Sequence, residues 1–280
     1  MKENNQLHFT KMHGLGNDFM MIDGVNQKIS LTAKQIRNLA NRHTGIGFDQ
    51  CLIVESAKDD SMDFYYRIFN SDGNEVGQCG NGARCLAVFI KDRNLSDKDS
   101  YRVTTQTSRL TLKPLNAHSA WVEFEEPNFS PNKVPIAHEF QADYYPFECN
   151  GKIYYLHCVT VGNPHGILLV DELWDDEVSQ IGRLLSQHPK FPEGANISFV
   201  KLLNKGQAKL RVYERGAGET LACGSAAIAT AACLKIYHQC AEQIVINLPG
   251  GDLTIKWKGL GRKISFTGNA QTVFNGTISL

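Results

Sequence analysis

The chain has 280 residues, of which 42% are hydrophobic and 21% charged, and its 29 basic and 29 acidic side chains give a formal net charge of zero. This composition is typical of a soluble globular protein, and the balanced charge argues against nucleic acid or an anionic membrane as a partner. No apolar run reaches the roughly 18–20 residues of a bilayer span, and the polar start lacks the apolar core of a signal peptide. We therefore expect a cytoplasmic protein with reduced thiols and a small-molecule partner.

The apolar pattern predicts a mixture of helices and strands without regular βαβ alternation, so a doubly wound sheet is not expected. In chain order the predicted elements are a helix at 32–43, a strand at 64–69, a helix directly after Cys79, strands at 101–112 and 121–124, a proline-rich linker at 125–135, a strand at 153–161, a helix at 175–187, strands at 197–203 and 209–213, a helix directly after Cys223, and a strand region at 244–257. Within the last region, Pro-Gly-Gly-Asp at 249–252 predicts a hairpin turn.

The two halves of the chain repeat one pattern around Cys79 and Cys223, at an offset of 144 residues. Matched positions at this offset are 67–69 and 211–213, Glu75 and Glu219, Gly80 and Gly224, Ala83 and Ala227, and Ala87 and Ala231. Further upstream, Gly-Asn at 16–17 matches Gly-Asn at 162–163 at an offset of 146. Several matches in register indicate an internal duplication.

Both cysteines stand at a predicted helix start, where negative charge is stabilised by free N–H groups and by the helix dipole. Asn81 and Ser225 are the predicted N-caps, and the glycine after each cysteine lets a ligand approach the backbone. Lowering a thiol pKa from about 8.5 to about 7 requires about 2 kcal/mol, which a favourable helix terminus supplies. One thiolate and one thiol can therefore coexist at neutral pH.

If a pseudo-two-fold axis relates the halves, the two thiols are expected to face each other across a cleft. One thiolate would remove a proton from a carbon that bears a carboxylate, and the opposite thiol would protonate the other face, which inverts the stereocentre. The helix N-termini would stabilise the charge that develops on the carboxylate. A lone Gly-x-Gly at 14–16 completes no dinucleotide fingerprint, and no phosphate-loop, pyridoxal phosphate or zinc pattern is recognised. No cofactor and no metal are therefore predicted.

Seven segments, in order along the chain, resemble the diaminopimelate epimerase family. They are 11–19 (KMHGLGNDF), 45–50 (GIGFDQ), 70–75 (NSDGNE), 79–84 (CGNGAR), 162–165 (GNPH), 213–216 (YERG) and 223–225 (CGS). The resemblance implies a cofactor-independent isomerase that interconverts LL- and meso-2,6-diaminopimelate for lysine and peptidoglycan precursor biosynthesis, commonly as a homodimer. It also implies an α+β fold of two pseudo-symmetric domains, each a β-sheet wrapped around a central helix. The implied domains are 1–127, to which 269–280 return, and 128–268.

The resemblance also assigns roles to individual residues. Cys79 and Cys223 are implied as the acid/base pair, with Cys79 usually drawn as proton donor and Cys223 as acceptor, and the roles exchange in the reverse reaction. The residues implied to hold the reacting α-carboxylate are Gly80, Asn81, Gly224 and Ser225. The remaining implied substrate contacts are Asn17, Gln50, Asn70, Asn163, Asn196, Glu214 and Arg215. Arg215 suits the distal carboxylate through its bidentate fork. His165 and Glu214 are implied to tune the thiol pKa values, and Ala226 stands where the family often has glycine.

Other residues are interpreted as structural. The remaining cysteines are predicted to be small buried apolar side chains: Cys51, Cys85, Cys149, Cys158, Cys233 and Cys240. Glu75 and Glu219 are interpreted as caps of the helices that follow. Arg84, Lys91 and Arg93 are expected on a solvated helix face.

Three alternatives remain open. A proline racemase-like enzyme of the same architecture would act on a substrate without a second polar end, which Arg215 and the asparagines do not suit. A thiol switch would join Cys79 and Cys223 in a disulfide. A non-catalytic module would bind an amino acid without turning it over. Solvent deuterium exchange into substrate, and binding by single cysteine variants, distinguish these hypotheses.

Overall fold

A computed structural model describes residues 6–77, 79–173 and 175–280, with the backbone alone described at 175–177. The chain divides into two compact units. Unit 1 comprises Met1–Val122 and Gly268–Leu280, and unit 2 comprises Glu123–Thr267. Within the described residues, no helix is long and apolar enough to cross a membrane.

The first part of the chain alternates strands with two helices. Its elements are β1 (Gln6–Gly14), β2 (Asn17–Asp23), α1 (Ala33–Ala40), β3 (Gln50–Ser56), β4 (Phe64–Asn70), β5 (Glu75–Val76), α2 (Gly80–Asp92), β6 (Tyr101–Thr104), β7 (Arg109–Asn116) and β8 (Ser119–Phe124). The second part repeats this order and adds a strand at each end. Its elements are β9 (Tyr145–Cys149), β10 (Lys152–Thr160), β11 (Pro164–Leu169), α3 (Asp175–Ser186), β12 (Asn196–Asn204), β13 (Gln207–Glu214), β14 (Gly218–Thr220), α4 (Gly224–His238), β15 (Gln243–Leu248), β16 (Gly251–Lys256), β17 (Ile264–Asn269) and β18 (Gln271–Ser279).

The two units share one strand order. In unit 1, β18 pairs with β1, and the sheet continues through β2, β3, β4, β6 and β7, with β2–β3 and β4–β6 parallel. In unit 2, β9 pairs with β10, and the sheet continues through β11, β12, β13, β15 and β16, with β11–β12 and β13–β15 parallel. The short β5 and β14 pair with β4 and β13. The predicted α+β fold with an internal duplication is confirmed.

A buried helix forms the centre of each unit. In α2 every residue from 80 to 90 is buried, and in α4 every residue from 224 to 234 is buried. Strands β10, β11, β12, β15 and β16 all pack against α4. A helix that is enclosed on all sides has no solvent-facing side and therefore needs no polar face. This explains why α4 is apolar all round, with many alanines.

Most predicted elements occur, with shifted ends. The helix predicted at 32–43 is shorter, because Thr32 caps α1 in a capping box with Gln35 and the helix ends at Ala40. The turn predicted at 249–252 is confirmed, since Leu248 pairs with Gly251. The single strand predicted at 101–112 is wrong: β6 and β7 form a hairpin whose turn is closed by a hydrogen bond from Thr105 N to Ser108 O.

Two interpretations of charged residues are corrected. Arg84 does not lie on a solvated face: it is fully buried, and its Nε donates to Asn269 O at 2.9 Å, whereas Lys91 and Arg93 are exposed. Glu75 and Glu219 do not cap helices. Each accepts a two-pronged hydrogen bond from an arginine on the preceding strand, Arg67 in unit 1 and Arg211 in unit 2.

Candidate active site

The strand order of unit 1 gathers its predicted site residues at one edge of the sheet. Asn17 begins β2 and Gln50 begins β3, while the antiparallel β4 ends at Asn70. Gln50 Nε2 donates to Asn70 Oδ1 at 2.8 Å, and Asn81 Nδ2 donates to Asn17 Oδ1 at 3.3 Å. The four amide side chains therefore form two pairs, one of which includes Asn81 in the first turn of α2.

Cys79 is itself the N-cap of α2, so the prediction of Asn81 as the cap is wrong. The Cys79 backbone is extended, and its sulfur accepts a hydrogen bond from Gly82 N at 3.2 Å. The thiol is half-buried, whereas Gly80 and Asn81 in the first helical turn are buried. An N-cap sulfur lies at the positive end of the helix dipole, which favours the thiolate.

A charged network behind Asn17 fixes the direction of its amide. Asp49 Oδ2 accepts from Asn17 Nδ2 at 2.8 Å, which leaves Asn17 Oδ1 directed toward Asn81. Arg42 donates to Asp49 and, at 2.8 Å through both terminal nitrogens, to Asp18. Although burial opposes ionisation of Asp18, Arg42 and Lys11 lower the pKa of its carboxyl well below the ordinary value.

Unit 2 repeats the same arrangement at its own sheet edge. Asn163 precedes β11, Asn196 begins β12, and Glu214 ends β13, so all three lie near the start of α4. Cys223 is the N-cap of α4, which again corrects the prediction that Ser225 is the cap. The Cys223 sulfur lies 3.4 Å from Ser225 Oγ, and Asn163 Nδ2 donates to the same oxygen at 3.4 Å.

The Cys223 thiol is buried and lies beside the carboxylate of Glu214. Burial raises the pKa of this thiol well above its ordinary value, and the charge of Glu214 raises it further, while a hydrogen bond with Ser225 opposes the shift. Thr220 Oγ1 in turn donates to Glu214 Oε1 at 2.5 Å. Burial and the Glu214 charge therefore both favour the protonated thiol of Cys223 over its thiolate.

His165 is fully buried and connects to Cys223 through two polar side chains. Its Nε2 lies 3.1 Å from Asn163 Oδ1, and because an amide oxygen only accepts, Nε2 carries the proton. Burial lowers the pKa of His165 to about 3, and the charge of Arg215 lowers it in the same direction. The imidazole is therefore neutral at pH 7.

Arg215 is held by the backbone and by Asn196. Its N–H donates to Asn196 Oδ1 at 2.8 Å, and its guanidinium donates to Glu193 O at 2.8 Å. The exposed guanidinium lines a cavity of about 620 Å³ in unit 2, together with Phe191, Glu193 and Tyr213. The side chain of Asn196 thus positions Arg215 by binding the backbone N–H of Arg215.

Three residues that support these side chains were not predicted from the sequence. Asp49 and Arg42 orient Asn17, and Thr220 contacts Glu214. Asp49 lies in segment 45–50, which resembles the family, but its position relative to the neighbouring residues does not distinguish it from a surface carboxylate. The six cysteines interpreted as structural are all buried, as predicted: Cys51, Cys85, Cys149, Cys158, Cys233 and Cys240.

Comparisons with known proteins agree with this duplicated fold. The sequence model described as diaminopimelate epimerase matches residues 9–127 and 157–273. The diaminopimelate epimerase of Legionella pneumophila strain Paris is 48% identical over 273 residues, which cover 97% of this chain and 99% of that protein. The protein of the same name from strain Lens is 47% identical over the same shares of both chains.

Solved structures share the fold at low sequence identity. A hydroxyproline epimerase from Agrobacterium vitis superposes with a TM-score of 0.73 at 14% identity, covering 100% of this chain and 94% of that one. A Bacillus anthracis phenazine biosynthesis protein of the PhzF family gives 0.68 at 16% identity, covering 98% and 99%. The duplicated fold and the sequence matches define the class of protein: an isomerase, and within the isomerases an epimerase. More particularly, the chain belongs to the diaminopimelate epimerase family.

Proposed function

We propose that this protein interconverts LL- and meso-2,6-diaminopimelate without a cofactor, with Cys79 and Cys223 as the acid/base pair. One observation carries the proposal: in a chain of this family, two cysteines at matched positions each cap a buried central helix. The reaction is balanced, because one thiolate accepts the α-proton and the other thiol donates a proton to the opposite face. In the reverse direction the two thiols exchange roles.

The polar groups around each thiol suit a substrate with an α-carboxylate. The N–H groups of Gly80 and Asn81 belong to the first turn of α2, and those of Gly224 and Ser225 to the first turn of α4. Such groups stabilise the negative charge that grows on the carboxylate as the α-proton leaves. The paired amides and Arg215 are proposed to bind the distal end of the substrate, with Arg215 as the carboxylate fork.

Turnover of LL-diaminopimelate by the reduced protein, with no cofactor added, tests the proposal. In D₂O the α-carbon should gain solvent deuterium as the meso isomer forms. Cys79→Ala and Cys223→Ala should each lose about 10²–10⁴-fold in turnover and retain substrate binding. Cys149→Ala serves as the control, because Cys149 is a buried cysteine at the end of β9 and belongs to a core cluster of unit 2.

Each alternative function has its own outcome in the same experiments. Deuterium exchange into proline, with none into diaminopimelate, would identify a proline racemase-like enzyme. Full turnover by a Cys79→Ser/Cys223→Ser double variant would exclude acid/base catalysis by the thiols. Binding of diaminopimelate without turnover by the reduced wild-type protein would indicate a binding module.

We also propose that the protein is a cytoplasmic homodimer. β18 is the strand at the end of the unit 1 strand order. Its Val273 and Phe274 are 55% and 46% exposed to solvent. A long exposed strand with apolar side chains is a surface that proteins cover by pairing. Sedimentation velocity should therefore show a dimer that Val273→Lys weakens, whereas a monomeric wild-type protein would contradict the proposal.

A further inference from the structure

The β13–β14 hairpin places a hydroxyl next to the carboxylate that borders Cys223. Glu214 pairs with Gly218 and Val212 pairs with Thr220 in an antiparallel ladder. Residues that pair directly, and residues two apart on one strand, point to the same face of a sheet. Thr220 is therefore the diagonal neighbour of Glu214, and its Oγ1 lies 2.5 Å from Glu214 Oε1.

The equivalent hairpin of unit 1 has the same register but different side chains. Phe69 pairs with Glu75 and Ile68 pairs with Val76, which matches the pairing of 213 with 219 and 212 with 220. At the shared offset, Asn70 stands where unit 2 has Glu214, and Val76 stands where it has Thr220. The pair of acid and hydroxyl thus occurs in the hairpin of unit 2, and the matched positions of the unit 1 hairpin carry an amide and an apolar side chain.

We infer that Thr220 is a positioning residue, whose hydroxyl holds the Glu214 carboxylate against the Cys223 thiol and thereby makes the two thiols unequal in the resting protein. The inference rests on the proposed acid/base function of the cysteines. A hydroxyl donor fixes one carboxylate oxygen, so that the other remains available to the thiol. A carboxylate free to rotate would hold the Cys223 proton less tightly.

The rate at which iodoacetamide alkylates Cys223, measured as a function of pH in a Cys79→Ala background, tests the inference. Thr220→Val removes the hydroxyl and keeps the shape, and it should lower the pH midpoint of alkylation by about 0.5–1 unit. Thr220→Ser should restore the original midpoint. Thr254→Val on β16, where Thr254 pairs with Val245 and Thr267, is the matched control and should leave the midpoint unchanged.

A double variant separates positioning from general structural damage. If Thr220 acts through Glu214, Thr220→Val should shift the pH midpoint of alkylation when Glu214 is present. In a protein that also carries Glu214→Gln, the same substitution should leave the midpoint unchanged. In the otherwise native enzyme, Thr220→Val should lower kcat about tenfold with a smaller change in KM. An unchanged midpoint in Thr220→Val would overturn the inference, whether or not kcat falls.

The alkylation measurement needs no turnover, so it distinguishes this inference from the proposed function. If the wild-type protein fails to epimerise diaminopimelate and Thr220→Val still shifts the midpoint, the positioning role stands and the substrate assignment fails. If turnover is normal and the midpoint stays the same in every Thr220 variant, the epimerase function stands and the positioning role fails.

Discussion

Gly82 and Ala226 occupy matched positions in the first turns of α2 and α4, yet their surroundings differ. A Cβ at Gly82 would lie 2.7 Å from Leu52 Cδ2 and 3.2 Å from Cys79 Sγ. In unit 2 the methyl group of Ala226 is accommodated with no exposed surface. The replacement of the common family glycine by Ala226 is therefore compatible with a closely packed helix start.

This difference predicts that Gly82→Ala lowers activity, whereas Ala226→Gly mainly lowers stability. Gly82→Ala should push the Cys79 sulfur from its N-cap position and lower kcat about tenfold or more, because the Gly82 N–H bond to sulfur is distorted. Ala226→Gly should keep most of the activity and lose about 1 kcal/mol of stability through helix propensity. Steady-state kinetics and urea unfolding of the two variants would decide, and equal activity losses would contradict the prediction.

Asp49 is expected to affect substrate affinity although it is not a predicted substrate contact. Asp49→Ala removes the acceptor that fixes the Asn17 amide. Because a hydrogen bond to a charged group contributes about 1.5–3 kcal/mol, KM should rise about tenfold or more. Asp49→Asn retains an acceptor and should be milder. Asp59→Ala, which alters an exposed turn carboxylate bonded to Ser61, is the control. An unaltered KM in Asp49→Ala would show that Asn17 needs no support.

At the scale of the elements, the repeated hairpins predict unequal contributions to stability. In unit 2 the side chains of Arg211 and Glu219 are 16% and 25% exposed, whereas those of Arg67 and Glu75 in unit 1 are 35% and 30% exposed. The less exposed pair is screened less by solvent. Glu219→Gln should therefore lower the free energy of unfolding by about 1–2 kcal/mol, and Glu75→Gln by less than about 1 kcal/mol. Urea titration measures both values, and the reverse order would refute this account.

Of the strands that were not predicted from the sequence, three have an identifiable physical reason: β1, β5 and β14. β1 carries Thr10 and Lys11 at buried positions, so its apolar alternation is interrupted by side chains that are satisfied elsewhere in unit 1. β5 and β14 have two and three residues, too few for a periodic pattern. The register of the duplication did predict the two helix starts, because Cys79 and Cys223 keep the same distance from their hairpins.

At the scale of the whole molecule, buried histidines predict acid sensitivity. His157 stacks on Tyr237 and has no exposed surface. Burial lowers its pKa from 6.5 to about 4, although a hydrogen bond with Asp143 O opposes the shift. Between these values the unfolded chain binds more protons than the folded chain, so stability falls as the pH drops from 6.5 toward 4.

The size of this effect can be measured directly. At pH 5, His157 should destabilise the fold by about 1–2 kcal/mol relative to pH 7.5. His157→Phe keeps an aromatic ring in the stack and should reduce the difference between the urea midpoints at the two pH values. His43→Gln, at an exposed position, should leave that difference unchanged. If His157→Phe were as acid-sensitive as the wild type, other groups would have to be responsible.

Much of the candidate site could be predicted because it lies in short segments with fixed order. The carboxylate of Glu214, the buried ring of His165 and the paired amides all occur within those segments. The supporting contacts could not be predicted, since Arg42 and Asp18 meet across 24 residues and Thr220 faces Glu214 only after the hairpin forms. Such contacts depend on sheet register, which single-residue patterns do not encode.

The pairing of β18 with β1 also sets an order of events during synthesis. Unit 2 is continuous in sequence, so all of its strands have been translated when the chain reaches residue 267. Unit 1 begins first but still lacks its last strand, which contacts β1 across 265 residues at the Thr10–Asn275 hydrogen bond. Domains generally fold as units during translation. Unit 1, although it begins first, is therefore completed after unit 2, and the side of β1 that pairs with β18 gains its partner only once residues 271–279 have been synthesised.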